Sequence, residues 1–315
     1  MGKFKYNQER IFRCIVSFRQ NSSTRHLGGR PFRHPLIDSG ICPLFVAFIL
    51  TLPTDKTLYL YFLMKRIIIT GATSGIGRET ALQYISDEWT VGVTGRRAEL
   101  LKRLEVLAPG RVYTKVMDIC REDAADRLRE LIGEMGGMDV YLHCAGIGFR
   151  NPSLDAKTEL DTARTNTEGF IRMVTAAFDH LKRQGTGGHI AVISSIAGTK
   201  GLGAAPAYSA TKRFQNTYID ALDQLSHAQR LGITFTDIRP GFVDTDLLKQ
   251  GHYPMLMNPA DVARRIFHAV GSRKRVAVID GRYRLLVAIW RLIPRLLWER
   301  MPVGIDRKKG ADTQP

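Results

Sequence analysis

The sequence predicts a doubly wound α/β domain: a parallel sheet with helices on both faces, three layers in all. Three observations carry that expectation. Short apolar, β-branched runs recur from residue 65 onward, helix-like segments separate them, and the connections are short. A glycine-rich turn also lies where the first strand meets the first helix. With 315 residues and 44% apolar content, the chain can bury one large core.

The elements follow in order. Lys65–Thr70 is a β-branched run that reads as a fully buried strand, and Arg78–Ser86 is the helix after it. Thr90–Thr94 reads as a strand, Ala98–Leu107 as a helix, Arg111–Met117 as a strand and Asp123–Met135 as a helix. Asp139–Cys144 is extended. Thr158–Gln184 is one long helix with Leu160, Ala163, Phe170, Val174, Ala177 and Leu181 at helical spacing. His189–Ile193 and Ile233–Ile238 are strands around a helix at Tyr208–Gln229. Asn258-Pro259 opens a further helix with a capping side chain and a proline at its first position, and Arg275–Ile279 closes the series. Ligands are expected beyond the carboxyl ends of such strands.

The net charge of +16 raises the question of nucleic acid, and its distribution argues against it. Residues 1–63 carry a balance of +6 and residues 271–315 carry +7, while the patterned middle carries +3. A nucleic-acid binder spreads a basic stripe over a folded face. The four cysteines form no Cys-x-x-Cys pair and the eight histidines have no ligand-like spacing, so neither a metal nor a disulfide framework is expected. A reducing cytoplasm is the default expectation. Residues 1–63 have poor periodicity, and their apolar runs at 41–52 and 58–64 are each too short to span a bilayer. They are expected to lie outside the fold, with Met64 as the start of the chain proper; an interfacial anchor is the alternative. The catalytic domain is expected over 64–280.

The first strand runs into Thr70-Gly71-Ala72-Thr73-Ser74-Gly75-Ile76-Gly77. Glycines there let the backbone approach a pyrophosphate, which the helix N-terminus attracts through unpaired N–H groups. No Walker lysine follows. The second strand ends in Gly95-Arg96-Arg97 with no carboxylate, where an acid would bind the 2′-hydroxyl of NAD(H) and a base the 2′-phosphate of NADP(H). NADP(H) is therefore expected over NAD(H). Tyr208 and Lys212 stand four residues apart, on one face of a helix. A nearby ammonium is expected to lower the phenol pKa so that the tyrosine can exchange a proton at working pH. Ser195, at the end of the preceding strand, can be aimed at the same pocket.

Taken together, these motifs resemble the compact, single-domain branch of the short-chain dehydrogenase/reductase family, with its Rossmann-type sheet. The likeness covers nearly all of residues 64–280. It rests on the Thr70–Gly77 turn, Asp118, Ala145-Gly146, Asn166, Ser194-Ser195, Tyr208-x-x-x-Lys212 and the run from Arg239 to Thr245. The resemblance implies that Tyr208 is the general acid in reduction and the base in oxidation, and that Ser195 holds the substrate oxygen. It implies that Lys212 binds the nicotinamide ribose and that Asn166 anchors a water linking Lys212 to solvent. Cofactor contacts are implied for Thr70, Gly71, Thr73, Ser74, Gly75, Ile76, Gly77, Arg96, Arg97, Asp118, Ile119, Ala145, Gly146, Tyr208, Lys212, Pro240, Gly241, Val243 and Thr245. His143-Cys144 departs from the family's Asn-Asn, so cofactor contacts there fall to the backbone; Cys144 is read as a structural thiol, with a redox switch as the alternative.

The resemblance further implies a small-molecule carbonyl or alcohol substrate and a homodimer or homotetramer. Met and Leu residues in Asp246–Met257, where the family keeps a substrate lid, suit a lipophilic ligand, with ordinary loop packing as the alternative. Tyr283–Arg300 is expected to be a helix kinked at Pro294, with Arg284, Arg291 and Arg295 on one side, fit for a membrane interface, a subunit contact or an active-site flap. Reduction of a ketone or aldehyde leads. Oxidation on the same site and a non-catalytic NADP(H) sensor are the alternatives.

Overall fold

The computed structural model describes residues 65–248 and 253–303. The expectations for residues 1–63 and for His252 lie outside the described residues. Seven strands form one sheet: β1 (Arg66–Thr70), β2 (Thr90–Gly95), β3 (Val112–Val116), β4 (Val140–His143), β5 (Gly188–Ile193), β6 (Ile233–Pro240) and β7 (Val276–Ile279). Every pairing is parallel, in the order β3-β2-β1-β4-β5-β6-β7. The order reverses between β1 and β4, which opens a crevice at the strand tips.

The helices are α1 (Gly75–Ser86), α2 (Ala98–Glu105), α3 (Ala124–Glu134), α4 (Ala156–Ala163), α5 (Phe170–Gln184), α6 (Pro206–Ala228), α7 (Pro259–Gly271), α8 (Gly281–Leu292) and α9 (Arg295–Trp298). The run Ile67-Ile68-Ile69 shows why both sheet faces are dry. Strand side chains alternate, so Ile67 and Ile69 join a core with Tyr84, Leu101 and Ile266, while Ile68 joins one with Leu131, Phe170 and Val174. Each residue is fully buried, which removes apolar surface from water worth roughly 2 kcal/mol per side chain.

Three expectations are corrected. The long helix is interrupted by a π-helical turn over Arg164–Gly169 that carries Asn166. α6 begins at Pro206, two residues before Tyr208, because proline fills the first helical position where no N–H is needed. The C-terminal helix is two helices: the first ends at Leu292 because Ile293, which precedes Pro294, takes an extended backbone.

Candidate active site

The glycine-rich turn crosses over itself at the tip of β1. A Cβ at Gly77 would stand 2.2 Å from the Gly71 carbonyl oxygen, so only glycine allows the crossing. Ser74 precedes α1 without a side-chain cap, which leaves the first-turn N–H groups of the helix to a ligand. Thr245, from the loop after β6, leans on this turn; its methyl carbon would lie 3.1 Å from a Cβ at Gly75. Arg97 donates to Thr73 Oγ1 at 2.8 Å and to Ser74 Oγ at 2.7 Å, so its guanidinium lies over the turn. Arg96 is exposed beside it. Asp118 accepts from the Cys120 N–H at 3.0 Å at the tip of β3, and Ile119 is buried. Thr70 and Val243 are buried, Ala145-Gly146 continues from β4, and Pro240-Gly241 continues from β6. The residues expected to hold the dinucleotide thus lie at the carboxyl ends of the strands.

The chemical groups converge from three elements. Ser195 follows β5, and its hydroxyl meets the Tyr208 phenol and accepts from the Ala197 N–H at 3.1 Å. Lys212, one turn along α6, reaches past the Tyr208 ring with Nζ 5.8 Å from the ring centre. Its ammonium donates to the Ile193 carbonyl at 3.0 Å and to Gln215 Oε1 at 3.1 Å. Burial pushes Lys212 down to about 8, opposed by Cys144 and Asp237, so it stays mostly charged at neutral pH. Asn166 holds both ends of the Ile147 backbone unit, accepting from its N–H at 2.9 Å and donating to its carbonyl at 2.7 Å. The π turn supplies the reach for this two-sided contact.

The lowered phenol pKa expected from Lys212 is not what the site produces. Burial pushes Tyr208 up, and only the Ser195 hydroxyl opposes it. The ammonium lies off the ring, bound to two other acceptors, and dry surroundings penalise a phenolate. The His143-Cys144 pair also has a clear placement. His143 is fully buried edge-on to Phe170, its Nδ1 3.1 Å from the Tyr141 hydroxyl, and burial pushes it down to about 3. Cys144 is half-buried beneath Gly77, and desolvation pushes its thiol up to about 12.

Several residues at the site had no signal in the motifs. Gly148 lies flat against the catalytic candidate: a Cβ there would stand 2.5 Å from the Tyr208 ring. Gln215 bridges Lys212 to the Asn166 carbonyl, donating to it at 3.0 Å. Asp237 accepts from Asn216 at 2.9 Å, from Arg239 Nε at 2.7 Å and from Ser194, which ties β6, α6 and the Ser195 turn together. Gln215 alone had a readable cue, since it follows Lys212 by three positions on the same helix face. On the far side, Trp298 donates to the Gly201 carbonyl at 2.7 Å, Lys200 donates to Ile293 at 2.9 Å, and Tyr283 donates to Pro254 and Met255. The C-terminal helices therefore dock on the loops after β5 and β6. In the expected lid, Met257 is buried while Leu247 and Leu256 are exposed.

Fold and site define a nicotinamide-dinucleotide-dependent dehydrogenase or reductase of the single-sheet type. Residues 65–253 match the short chain dehydrogenase family, and the chain belongs to it. An uncharacterised oxidoreductase of Myxococcus xanthus is 34% identical over 200 residues, covering 61% of this chain and 77% of that one. Dehydrogenase/reductase SDR family member 7B of Xenopus tropicalis is 27% identical over 269 residues, covering 77% of this chain and 86% of that one. Among solved structures, 3-ketoacyl-(acyl-carrier-protein) reductase from Brucella melitensis, complexed with NADH, superposes with a TM-score of 0.63 at 22% identity, over 69% of this chain and 97% of that one. A variant of actinorhodin polyketide ketoreductase with NADPH gives 0.60 at 23% identity, over 69% and 96%. At those identities the likeness to the structures concerns the fold.

Proposed function

We propose that the protein is an NADP(H)-dependent reductase of ketones or aldehydes with Tyr208 as general acid. The observation that carries this reading is the convergence of the Tyr208 phenol, the Ser195 hydroxyl and the Lys212 ammonium beside the glycine-rich turn. The residues present fit a dinucleotide. The turn is narrow enough at Gly77 for close backbone approach, α1 is uncapped, and a Cβ at Gly146 would press to 3.1 Å on Asn166 and 3.5 Å on Lys212. Thr70, Gly71, Thr73, Ser74, Gly75, Ile76, Asp118, Ile119, Ala145, Pro240, Gly241, Val243 and Thr245 complete the proposed cofactor contacts. When bound, the reduced dinucleotide supplies the hydride that a carbonyl carbon accepts.

The chain's own residues supply the rest. Ser195 donates to the carbonyl oxygen and holds it beside Tyr208. As negative charge grows on that oxygen, Tyr208 gives up its proton to it. A phenol that burial keeps protonated suits this direction, whereas oxidation requires the same group to ionise first. Lys212 holds the ribose hydroxyls, and Asn166 fixes the backbone at Ile147 that walls the site.

Arg96 and Arg97 support the choice of NADP(H), because a guanidinium fork matches a phosphate and nothing acidic stands at the tip of β2. Replacing both with Asp is expected to weaken NADPH binding by about 100-fold, the loss of one or two charge-assisted hydrogen bonds, while NADH binding holds or improves. Titration of each cofactor measures this. An unchanged preference between the two would move the assignment to NAD(H).

A lipophilic substrate met at a membrane surface is supported by the C-terminal helices. Leu285, Leu292 and Leu296 are 65%, 82% and 69% exposed, close in sequence to the exposed Arg284, Arg291 and Arg295. Trp298 is not an anchor for that surface, because it is buried against Gly201. Among the described residues no helix is long and apolar enough to cross a membrane. In the full chain, Leu292→Asp with Leu296→Asp is expected to reduce co-sedimentation with anionic vesicles about tenfold. Equal sedimentation of variant and parent would remove the membrane from the proposal. Exposed Leu160, Ile171 and Leu225 on α4, α5 and α6 support a homodimer or homotetramer.

A further inference from the structure

Gln215 is fully buried, and its side-chain amide spans two groups of the site. Its orientation follows from its neighbours. An ammonium only donates and a backbone carbonyl only accepts, so Oε1 must face Lys212 and Nε2 must face the Asn166 carbonyl. No other common side chain of this size satisfies both at once: a carboxylate lacks the donor, and leucine lacks both. We infer that Gln215 is a positioning residue that fixes the Lys212 ammonium in place and in its charged form, by joining it to the π turn at Asn166. The inference rests on the proposed role of Lys212 at the cofactor ribose.

The Lys212 ammonium is dry, and its hydrogen-bond acceptors in the structure are the Ile193 carbonyl and Gln215 Oε1. Charged or titratable groups facing it are Tyr208 on its own helix, His143 and Cys144 at the tip of β4, and Asp237 on β6. His143 is held neutral by burial, while Cys144 and Asp237 favour the charged lysine, Asp237 being shared with Arg239. The amide is one of the two acceptors that hold the ammonium in place, and a hydrogen bond to the charged form favours that form. An amide gives up no proton near neutrality, so this link holds the ammonium and does not relay protons.

The test is the titration of the Lys212 side-chain nitrogen by NMR in the full chain, with Lys212→Met used to assign its signal. Gln215→Leu is expected to move the midpoint down by about one pH unit, through loss of an acceptor, and Gln215→Glu to move it up by a similar amount, through an added charge. The upper pH limit of kcat should move in the same two directions, because Lys212 titrates before the raised phenol. Should the leucine variant fail to fold, Gln215→Met, which keeps the length of the side chain and removes both its donor and its acceptor, carries the test with the same downward shift expected. A midpoint that stays put in the variants that fold, whatever their activity, would overturn the inference. That readout needs no turnover, so it fails or succeeds separately from the assignment of Tyr208 as the acid.

Discussion

Tyr208→Phe is expected to lower kcat by about a thousandfold while NADPH still binds. The exchange removes one hydroxyl and keeps the ring, so the packing against Gly148 and the ammonium behind the ring remain. What disappears is the proton donor to the nascent alkoxide, a contribution of roughly 10²–10⁴ in rate for a positioned acid. Because the phenol serves the transition state, KM should change little and the loss should fall on kcat. Steady-state assays beside a cofactor titration measure both. Near-normal turnover in the variant would remove Tyr208 from the role, and Ser195 would become the remaining hydroxyl donor at the site.

The second large effect is expected at a residue that takes no part in the chemistry. Gly148→Val places a branched side chain where even a Cβ would come within 2.5 Å of the Tyr208 ring. The ring is anchored on α6, so it must leave its present position beside Ser195. Misplacing a catalytic group by about 1 Å costs on the order of 100-fold in rate. The loss should appear in kcat with a small change in melting temperature, because Gly148 lies in the loop after β4 and not in either core. A variant that keeps its rate would show that the ring has room the structure does not indicate.

Both cases bear on how much could be read before any coordinates. The sheet was legible because Ile67–Ile69 and the run at Thr90–Thr94 repeat a buried-strand pattern between helices, and parallel order follows from that alternation. The meeting of Tyr208 and Lys212 was legible because they share a helix, where spacing dictates a common face. The π turn was not legible, since Arg164–Gly169 holds no apolar side chain by which the shift in helical phase could be read. The start of α1 at Gly75 was missed because glycine is a poor helix former and the amphipathic pattern begins later. Gly148 and the inward turn of His143 onto Phe170 arise from contacts between distant segments, which no local pattern encodes. The direction of the Tyr208 shift was not legible for a related reason: spacing puts Lys212 on the same face, but it does not reveal that the phenol is buried and that the ammonium is turned to other acceptors.

The most direct measurement follows the hydrogen itself. The protein is incubated with NADPH deuterated on the transferable position and with a panel of ketones, aldehydes, keto-acyl thioesters, steroids and long-chain keto-bases. The product alcohol is then examined by mass spectrometry. The account predicts an alcohol that carries deuterium on the former carbonyl carbon, formed by the parent chain and nearly absent with Tyr208→Phe. Tight NADPH binding with no labelled alcohol from any member of the panel would contradict it and would leave a dinucleotide-binding sensor in its place.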